Sequence, residues 1–509
     1  MKKKIYKVGE GVYAVYDKVL RSVDLYAYPG GGTLDSRWLL SEKVKIPRTE
    51  IRSIRVVHGT VSLPEDARGF HHEDRNYYLF GGLMALKSIE MNGFDTSKVR
   101  NMGWMFVDCR RLTEIDLSGL NTSNVTDMQN MFKKCIGLAK INIHGIDTSN
   151  VENMEGMFNF CQSIPAFDLG ELNTSKVTTM CRMFMECHSL KEINFGNANT
   201  SNVININGMF SKCLNLTSCD LTKLDTSSVI YMTNMFNSCS RMTRIDLSGI
   251  NTSKVINMAH MFSNCSSLSS ICFSGIDTSN VIYMEGMFEE CHNLKELDLS
   301  GFDTTCVVSM SEMFAHNLAL EKLDTTGWNT MNVRNMSGMF AHCRSIQILD
   351  LGHFCTQNVV DMSDMFCACL SLIRLNIGNF VTSNTINMAN MFYYCQALTS
   401  LRIGHFDTAM VNDMHAMFES CEGLTSLDLS NFSTERVKDM HKMFHRCTHL
   451  QTLNLRNFDM SGVENIQEMF SECLRMKTIV MQLTVGENAR TDDIFNKCPA
   501  KIIWNDGEE

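Results

Sequence analysis

The sequence predicts an α/β solenoid of about 16 strand-helix units, with a short non-repeating segment at each end. Three observations predict it. A Met-Phe pair returns every 26 residues from Met105-Phe106 to Met469-Phe470, fifteen times without an insertion or deletion. Each period holds one run with helical spacing and one with strand spacing. Only five prolines occur in 509 residues, so no proline-rich linker is expected. A fixed period of this length is typical of solenoids, in which each unit packs only on its neighbours.

Residues 1–78 lack the repeat and are predicted to form a small β-rich N-terminal cap. Strand-like runs such as 11–16 and 51–57 alternate with turn signals such as Pro29-Gly30-Gly31-Gly32. Leu79-Phe80 stands one period before the first Met-Phe pair. The repeat domain is therefore expected to begin at residue 79 and to run to residue 493.

Each repeat is predicted to combine one helix with one short strand. In residues 116–138 the apolar positions are spaced 3, 3, 1, 3 and 3 apart, which is helical spacing, at Val125, Met128, Met131, Phe132, Cys135 and Leu138. Asn121-Thr122-Ser123 precedes them as a run of N-cap residues. The run 112–117 alternates with period two, which predicts a strand. Strands of successive repeats are expected to stack in parallel and to form the concave sheet of a curved solenoid.

The Phe of each pair and a Cys three residues later are predicted to form the core. Fifteen of the 21 cysteines occupy this site, and Asn317 is the one replacement. A cysteine at a fixed core position behaves as a small buried hydrophobe. Stacked helices lie about 8–10 Å apart, whereas a disulfide needs Cα atoms within about 7 Å, so we predict a ladder of free thiols. Representative core residues are Phe106, Cys109, Phe132, Cys135, Phe288, Cys291, Phe418 and Cys421.

Residues 494–509 are predicted to form a C-terminal cap and an acidic tail. Ile494-Phe495 arrives 25 residues after the preceding pair, one residue short of the period. Residues 500–504 are expected to form a last strand, and residues 505–509 form the acidic tail. Terminal repeats of a solenoid need such an altered outer face to remain soluble.

The repeat resembles that of a known family. Segments 294–304 (LKELDLSGFDT) and 281–291 (VIYMEGMFEEC) are similar to the 26-residue repeat of BspA-like leucine-rich-repeat bacterial surface proteins, and the similarity covers about residues 79–498. Phe302 stands where the common leucine-rich repeat has an asparagine, so no asparagine ladder is expected. The resemblance implies a leucine-rich-repeat horseshoe or superhelix at a bacterial cell surface, used for adhesion or host interaction.

Charge and motif content narrow the function. The formal net charge of −10 disfavours nucleic acid and anionic membranes as partners. No run of about 18 apolar residues occurs, so we expect no membrane insertion. Outside the repeat pattern there is no nucleophile elbow, phosphate loop or pair of catalytic carboxylates. We therefore predict a binding protein without catalytic residues or a cofactor, and not an enzyme.

Two locations remain open. The start Met1-Lys2-Lys3-Lys4 is followed by Lys7 and Glu10, which leave no apolar region for a signal peptide. The family resemblance implies the cell surface, whereas the absence of an export signal favours a cytoplasmic interaction scaffold with the same fold. In either location we expect a monomer that binds a protein or a glycan.

The strand face is the predicted partner-binding surface, because concave faces are the usual binding surfaces of solenoids. Its central outward position is mostly Asp or Asn, and aromatic residues are scarce on the face. Arg402 and Cys272 replace the acid, and Arg244 and Arg374 lie two residues before it on the same strand face. The candidate residues are Asp116, Asp168, Asp220, Arg244, Asp246, Asp298, Asp324, Asp350, Arg374, Arg402 and Asp428. The competing interpretation is a consensus residue that bonds along the ladder or faces water. Because like charges about 5 Å apart repel, we expect some of these carboxylates to bind cations or to have raised pKa values.

One histidine group is a candidate metal site. His441 and His445 are spaced i, i+4, and His415 and Glu419 take the same places one repeat earlier. Such imidazole and carboxylate groups could bind zinc or nickel. Lys442 stands where a metalloprotease motif has its glutamate, which excludes that activity. The competing interpretation is a solvated convex face. An enzyme with its chemistry here or in residues 1–78 is the less favoured alternative.

Overall fold

The computed structural model describes residues 3–40, 43–68, 70–72, 75–482, 485–486 and 488–504, and the predicted acidic tail at 505–509 lies outside them. The chain divides into two compact units. Compact unit 1 contains residues 1–254 and 272–275, and compact unit 2 contains residues 255–271 and 276–509. In the residues that are described, no helix has the length and apolar character needed to cross a membrane.

Compact unit 1 begins with a β-sheet that extends past residue 78. The strands β1, β2 and β3 pair in antiparallel, β1 is joined to β4 in antiparallel and β3 to β5 in parallel, and the sheet order is β10-β6-β4-β1-β2-β3-β5-β9. β2 alternates buried and half-buried residues, as expected for a strand with one face on the core. The bounds are β1 Lys4–Glu10, β2 Val12–Asp17, β3 Ser22–Ala27, β4 Gly32–Leu34, β5 Ser53–His58, β6 Val61–Ser62, β7 Phe70–His72, β8 Arg75–Tyr77, β9 Ser88–Ile89 and β10 Phe94–Asp95.

Short strands then recur in most coils, where a coil is one 26-residue turn of the solenoid. Paired strands run in parallel and in register with the strand 26 residues later, as Ile115 with Ile141 and Leu297 with Leu323. The bounds are β11 Glu114–Asp116, β12 Lys140–Asn142, β13 Ala166–Asp168, β14 Glu192–Asn194, β15 Arg244–Asp246, β16 Ser270–Cys272, β17 Glu296–Asp298, β18 Lys322–Asp324, β19 Ile348–Asp350, β20 Arg374–Asn376, β21 Thr452–Leu455, β22 Thr478–Met481 and β23 Lys501–Trp504. The parallel solenoid and the last strand at the C-terminus are confirmed.

The predicted continuous sheet is broken into pairs. β11 pairs with β12, β13 with β14, β17 with β18 and β19 with β20, and only β21, β22 and β23 form a longer parallel set among the coil strands described. The central residue of the second strand is more exposed than that of the first, as for Ile141 compared with Ile115. Neighbouring coils therefore lack strand pairing at several junctions, as between β12 and β13 and between β18 and β19.

The prediction of one helix per coil is wrong. Among the described residues the only helical segments are 3-10 turns at Arg48–Glu50 and Leu169–Glu171. The segment expected to be helical is a succession of β-turns, in which the N–H of Met131 donates to Met128 O at 3.2 Å. Intervening N–H groups donate to the next coil, as Phe132 N to Met157 O at 2.9 Å. These bonds between coils replace the i to i−4 bonds of a helix.

Left-handed residues explain why the apolar spacing imitated a helix. The backbone takes a positive φ at two positions of a coil that are four residues apart, as at Asn130 (54°) and Lys134 (63°). Gly156 and Gly338 occupy the same position as Asn130 in other coils, with φ of 58° and 61°. Turns of four residues place apolar side chains three and four apart, as an α-helix does, so periodicity alone cannot separate the two.

The expected N-cap run has a different role as well. Asn121 Oδ1 accepts the N–H of Ser123 at 3.2 Å, which makes an Asx turn rather than a helix cap. The threonine of this run links coils, as where Thr148 Oγ1 donates to Asn173 O at 2.9 Å. The run is thus a turn with one bond to the next coil.

The core is a column of stacked rings in each compact unit. From Phe80 to Phe236 in compact unit 1, successive ring centroids lie 5.4 to 5.9 Å apart. From Phe262 to Phe495 in compact unit 2, they lie 5.5 to 6.0 Å apart. Such separations suit attractive ring pairs. The predicted core residues are fully buried: Phe106, Cys109, Phe132, Cys135, Phe288, Cys291, Phe418 and Cys421.

The ladder of free thiols is confirmed, but for a different reason than helix spacing. The buried thiols of this ladder donate to the carbonyl of the Phe 29 residues earlier, as Cys135 Sγ to Phe106 O at 3.1 Å. Asn317 replaces the thiol and donates Nδ2 to the same position, Phe288 O, at 2.8 Å. Burial raises the pKa of the Cys421 thiol to about 12. The Cys421 thiol is therefore protonated and unreactive at neutral pH.

Candidate functional site

The aspartates of the strand face terminate the strands. Asp116 Oδ1 accepts the N–H of Ser118 at 2.9 Å, and Asp298 Oδ1 accepts the N–H of Ser300 at 3.0 Å. Each carboxylate thereby closes the turn that follows its strand. All the candidate residues on this face are exposed: Asp116, Asp168, Asp220, Arg244, Asp246, Asp298, Asp324, Asp350, Arg374, Arg402 and Asp428.

Two strand pairs carry a carboxylate on the first strand and an amide on the second. Asn194 Nδ2 donates to Asp168 Oδ2 at 2.8 Å, and Asn376 Nδ2 donates to Asp350 Oδ1 at 2.7 Å. An acidic strand is followed by an amide strand in each, so the like-charge repulsion expected along a continuous stripe does not arise there. This alternation of Asp and Asn is a signal of these two pairs that the sequence analysis missed, whereas β17 and β18 pair with aspartate on both strands, at Asp298 and Asp324.

The expectation of raised pKa values on the strand face is wrong for the carboxylates whose pKa departs from its usual range. The side-chain and backbone bonds from Ser118 lower the pKa of Asp116, and those from Ser300 lower the pKa of Asp298. Asp220 faces the carboxylate of Asp246, which opposes the lowering but is weaker than the bonds from Thr222. The lowered set is Asp116, Asp220, Asp246, Asp298, Asp324 and Asp428. These groups are ionised at neutral pH without a bound cation.

The arginines of the strand face are presented to solvent. Arg244 and Arg374 are the first residues of β15 and β20, and Arg402 lies in a coil that has no regular strand. None of the three forms an ion pair with another described residue. The face therefore combines carboxylates held by turns with guanidinium groups that are available to a partner.

Two cavities open on the strand face, one in each compact unit. The first, of about 520 Å³, lies between β14 and residues 217–220. Its charged and amide lining is Lys191, Glu192, Asn194, Asp220, Lys223 and Arg241. The second, of about 580 Å³, lies between β18 and β19, and its polar lining includes Asp324, Asp350, His353, Asn376 and Asn379. Both occur where successive strands are not paired, so the broken sheet creates them.

The histidines proposed as metal ligands are held by carboxylates. His415 Nδ1 lies 2.8 Å from Asp413 Oδ1, and His441 Nδ1 lies 2.7 Å from Asp439 Oδ1. The two imidazole rings stack, with centroids 4.9 Å apart and planes 3° apart. Ring nitrogens lie in the ring plane, so those of parallel stacked rings do not converge on one ion.

The other two proposed ligands form a separate pair. His445 Nδ1 lies 3.1 Å from Glu419 Oε1, and both side chains are largely buried. The part of the chain that the structure describes contains no group of three or more His, Cys, Asp or Glu side chains that could hold a metal ion. The zinc or nickel site expected from His415, Glu419, His441 and His445 is therefore a wrong prediction, because the side chains pair two by two.

Solved structures of bacterial leucine-rich-repeat proteins are similar to this chain, and this is the class that the repeat resembles. One from Bacteroides ovatus has 15% identity, covers 98% of this chain and 99% of its own, and gives a TM-score of 0.40. One from Eubacterium ventriosum has 14% identity, 86% and 95% coverage, and a TM-score of 0.33. A leucine-rich cell surface protein from Faecalibacterium prausnitzii has 13% identity, 78% and 94% coverage, and a TM-score of 0.31. No curated protein matches the chain.

A family profile matches most of the sequence. It matches four times in overlapping succession, at residues 76–192, 159–275, 268–374 and 361–483. These matches coincide with the 26-residue coils and leave the N-terminal sheet outside, apart from its last strands. The chain therefore belongs to the family described as "Mycoplasma protein of unknown function, DUF285".

Proposed function

We propose that the chain is a non-enzymatic scaffold at a bacterial cell surface, and that it binds a protein partner through its strand face. The observation that carries the proposal is the contrast between the two kinds of position in each coil. The buried Phe and Cys positions repeat with one replacement, at Asn317, whereas the exposed strand positions vary in charge from coil to coil. A scaffold that only stacks needs the first kind of position and does not need the second.

The chemistry of the face favours a protein over a glycan. Ionised carboxylates on the same face as the exposed Arg374 and Arg402 suit a partner of mixed charge, because complementary charges steer association and select partners. Glycan sites commonly stack a sugar ring on an aromatic side chain. On the described coil strands, the large apolar side chains that are exposed are aliphatic, such as Ile348, which is 62% exposed. Trp504, on the last strand, is the exception.

A matched charge reversal tests the face. The biotinylated full chain is incubated with a panel of purified membrane and extracellular-matrix proteins and, in parallel, with a glycan array. The variant Arg374→Glu with Arg402→Glu is compared with Arg334→Glu with Arg436→Glu, which changes the net charge equally at exposed residues away from the strands. We expect the strand variant alone to lose protein binding by tenfold or more. Equal binding by both variants contradicts the proposal, and binding to glycans alone replaces the protein partner by a sugar.

Location is tested separately. The surface location rests on the resemblance of the repeat to those of BspA-like proteins. Intact cells of the native organism are treated with protease, and the chain is followed by antibody. Digestion of the chain while a cytoplasmic marker survives supports the surface location. Protection of both supports the cytoplasmic scaffold instead, and leaves the strand-face test unaffected.

A further inference from the structure

A pocket lies where the N-terminal sheet region meets the first coils of compact unit 1. We call it the junction pocket, and the residues used below are Leu40, Tyr78, Trp104, Val107, Lys133 and Lys134. Its volume is about 500 Å³, which falls within the usual range of small-molecule sites. The pocket is separate from the strand face, since its residues in the coils belong to the succession of β-turns that carries the Met-Phe pair. We call this part of each coil the turn segment.

Aromatic rings form one wall of the junction pocket. Tyr78 and Trp104 stack with centroids 5.6 Å apart and planes 11° apart. Lys133 Nζ lies 5.0 Å from the centroid of the Trp104 ring, so that a cation and an indole share this wall. Leu40 and Val107 add aliphatic surface. The wall therefore suits a flat apolar group next to a charge.

The net charge of the residues that line the junction pocket is positive. Lys133 and Lys134 form no ion pair with any other residue that the structure describes. The carboxylate in the lining, Asp108, is bonded to Arg110 at 2.8 Å. Burial lowers the pKa of Lys133, Lys134 and Arg182 lower it further, and the opposing effect of Glu155 is the smallest. A half-buried cation such as Lys133 is stabilised by an anion that enters the site, and the exposed Lys134 adds a second positive charge to the lining.

The remaining cation of the lining is used by the fold. Arg48 donates through its Nη2 to Tyr78 O at 2.9 Å and also to Gly81 O. It thereby ties the N-terminal region to the segment that carries Tyr78. The lysines, and not this arginine, are left to meet a ligand.

We propose that the junction pocket binds a small organic anion with an aromatic or flat apolar body, such as an aryl carboxylate or an aryl sulfonate. The acidic group lies between Lys133 and Lys134, where charge-assisted hydrogen bonds form. The apolar body lies along Trp104, Leu40 and Val107. The site is independent of the partner proposed for the strand face, so either proposal can fail without the other.

Titration calorimetry on the full chain tests the proposal with three probes. Naphthalene-2-sulfonate carries both ring and charge, methanesulfonate carries the charge alone, and 2-naphthol carries the ring alone. We expect saturable one-to-one binding of the first, and at least tenfold weaker binding of the other two. We also expect binding to change the fluorescence of Trp104, a signal that Trp104→Phe removes.

The chain offers a matched control for the lysines. Lys133→Gln and Lys134→Gln should each weaken binding of naphthalene-2-sulfonate about tenfold, the loss expected for one charged hydrogen bond. Lys212 occupies the position of Lys134 three coils later and is paired with Glu186 at 2.7 Å, so Lys212→Gln should leave binding unchanged. An unchanged thermal unfolding temperature shows that each variant folds. The proposal is overturned by no saturable binding, by equal binding of methanesulfonate or 2-naphthol, or by equal effects of Lys134→Gln and Lys212→Gln.

Discussion

At the scale of single residues, the cysteine site shows why a thiol suits a position that must be both apolar and a donor. Its Sγ is buried in the core and gives a weak bond to a carbonyl in the previous coil. Asn317 keeps the donor, with bonds at 2.8 Å to Phe288 O and Phe314 O, but its Oδ1 is buried without a partner. The amide therefore supplies the donor, but it also buries an oxygen atom that has no hydrogen-bond partner.

This difference predicts a stabilising substitution. Asn317→Cys removes an unsatisfied buried oxygen, which costs about 1–3 kcal/mol, and keeps a donor for Phe288 O. We expect the free energy of unfolding to rise by about 1 kcal/mol or more, as measured by urea denaturation under reducing conditions. Asn317→Ala, which removes both groups, should be less stable than Asn317→Cys. A Cys variant less stable than the natural chain would contradict this view of the site.

The stacked rings predict a large loss at one position. Phe288 is fully buried between Phe262 and Phe314, with centroids at 6.0 and 5.9 Å. Phe288→Ala should lower the free energy of unfolding by about 3–5 kcal/mol, because the core around the cavity relaxes only in part. Ile348→Ala is the control, since that side chain is 62% exposed. Equal shifts of the urea midpoint in both variants would show that Phe288 is not a core residue.

At the scale of elements, the sequence predicts the buried positions of the turn segment correctly but its secondary structure wrongly. The inward positions Met128, Phe132 and Cys135 were assigned correctly because burial follows the apolar spacing. The helix was wrong because a four-residue turn and a 3.6-residue helical turn give the same short pattern. Gly156 and Gly338 in the middle of the supposed helix were the available signal, since glycine favours the positive φ found there.

The two backbones predict opposite effects of glycine. Lys134 is exposed with φ of 63°, so Lys134→Gly should be more stable than Lys134→Ala by about 1 kcal/mol. In an α-helix the order would be reversed by a similar amount. Lys98 is an exposed turn lysine outside the positive-φ set, and there Lys98→Gly should be less stable than Lys98→Ala. Chemical denaturation of the four variants measures both differences. If alanine is the more stable residue at both positions, the segment around Lys134 is helical and not a succession of turns.

An ion pair in the turn segment predicts a pH window. His260 Nδ1 lies 3.3 Å from Glu289 Oε2, and Gly286 leaves the room that the imidazole needs. The bond to Glu289 raises the pKa of His260 above 6.5, so its stabilisation is complete below pH 6.5 and is lost as pH rises through the higher value. The bond to His260 lowers the pKa of Glu289 below 4.5, so that stabilisation is complete above pH 4.5 and is lost on acidification. The pair therefore contributes most between pH 4.5 and 6.5.

The measurement is the difference in melting temperature between the natural chain and His260→Gln from pH 4 to pH 8. We expect the largest difference near the middle of the window and a decline on both sides. The second reference is His144→Gln, which removes an exposed histidine that forms no ion pair with another described residue. A difference for His260→Gln that stays constant with pH would mean that the ion pair does not form.

At the scale of the whole molecule, the repeat period determined the solenoid but not the partner. The period is visible because every coil must supply the same Phe and Cys to its neighbours. The openings between strand pairs and the junction pocket escaped prediction because they depend on tertiary pairing and on the fold of the N-terminal region. Neither leaves a periodic trace in the sequence, apart from the alternation of Asp350 with Asn376 and its counterparts.

Nearest-neighbour stacking predicts how core substitutions combine. Phe418 and Phe444 are adjacent rings with centroids 5.7 Å apart, whereas Phe132 belongs to the other compact unit. Phe418→Ala with Phe444→Ala should cost less than the sum of the single losses by about 0.5–1.5 kcal/mol, because the first substitution already removes the ring contact. Phe418→Ala with Phe132→Ala should be additive within about 0.5 kcal/mol. Urea unfolding of the single and double variants measures the coupling energy of each pair. Where the two compact units unfold separately, each transition is fitted on its own. Strong coupling of the distant pair would show that stability is shared across the chain, and would contradict a solenoid whose coils interact only with their neighbours.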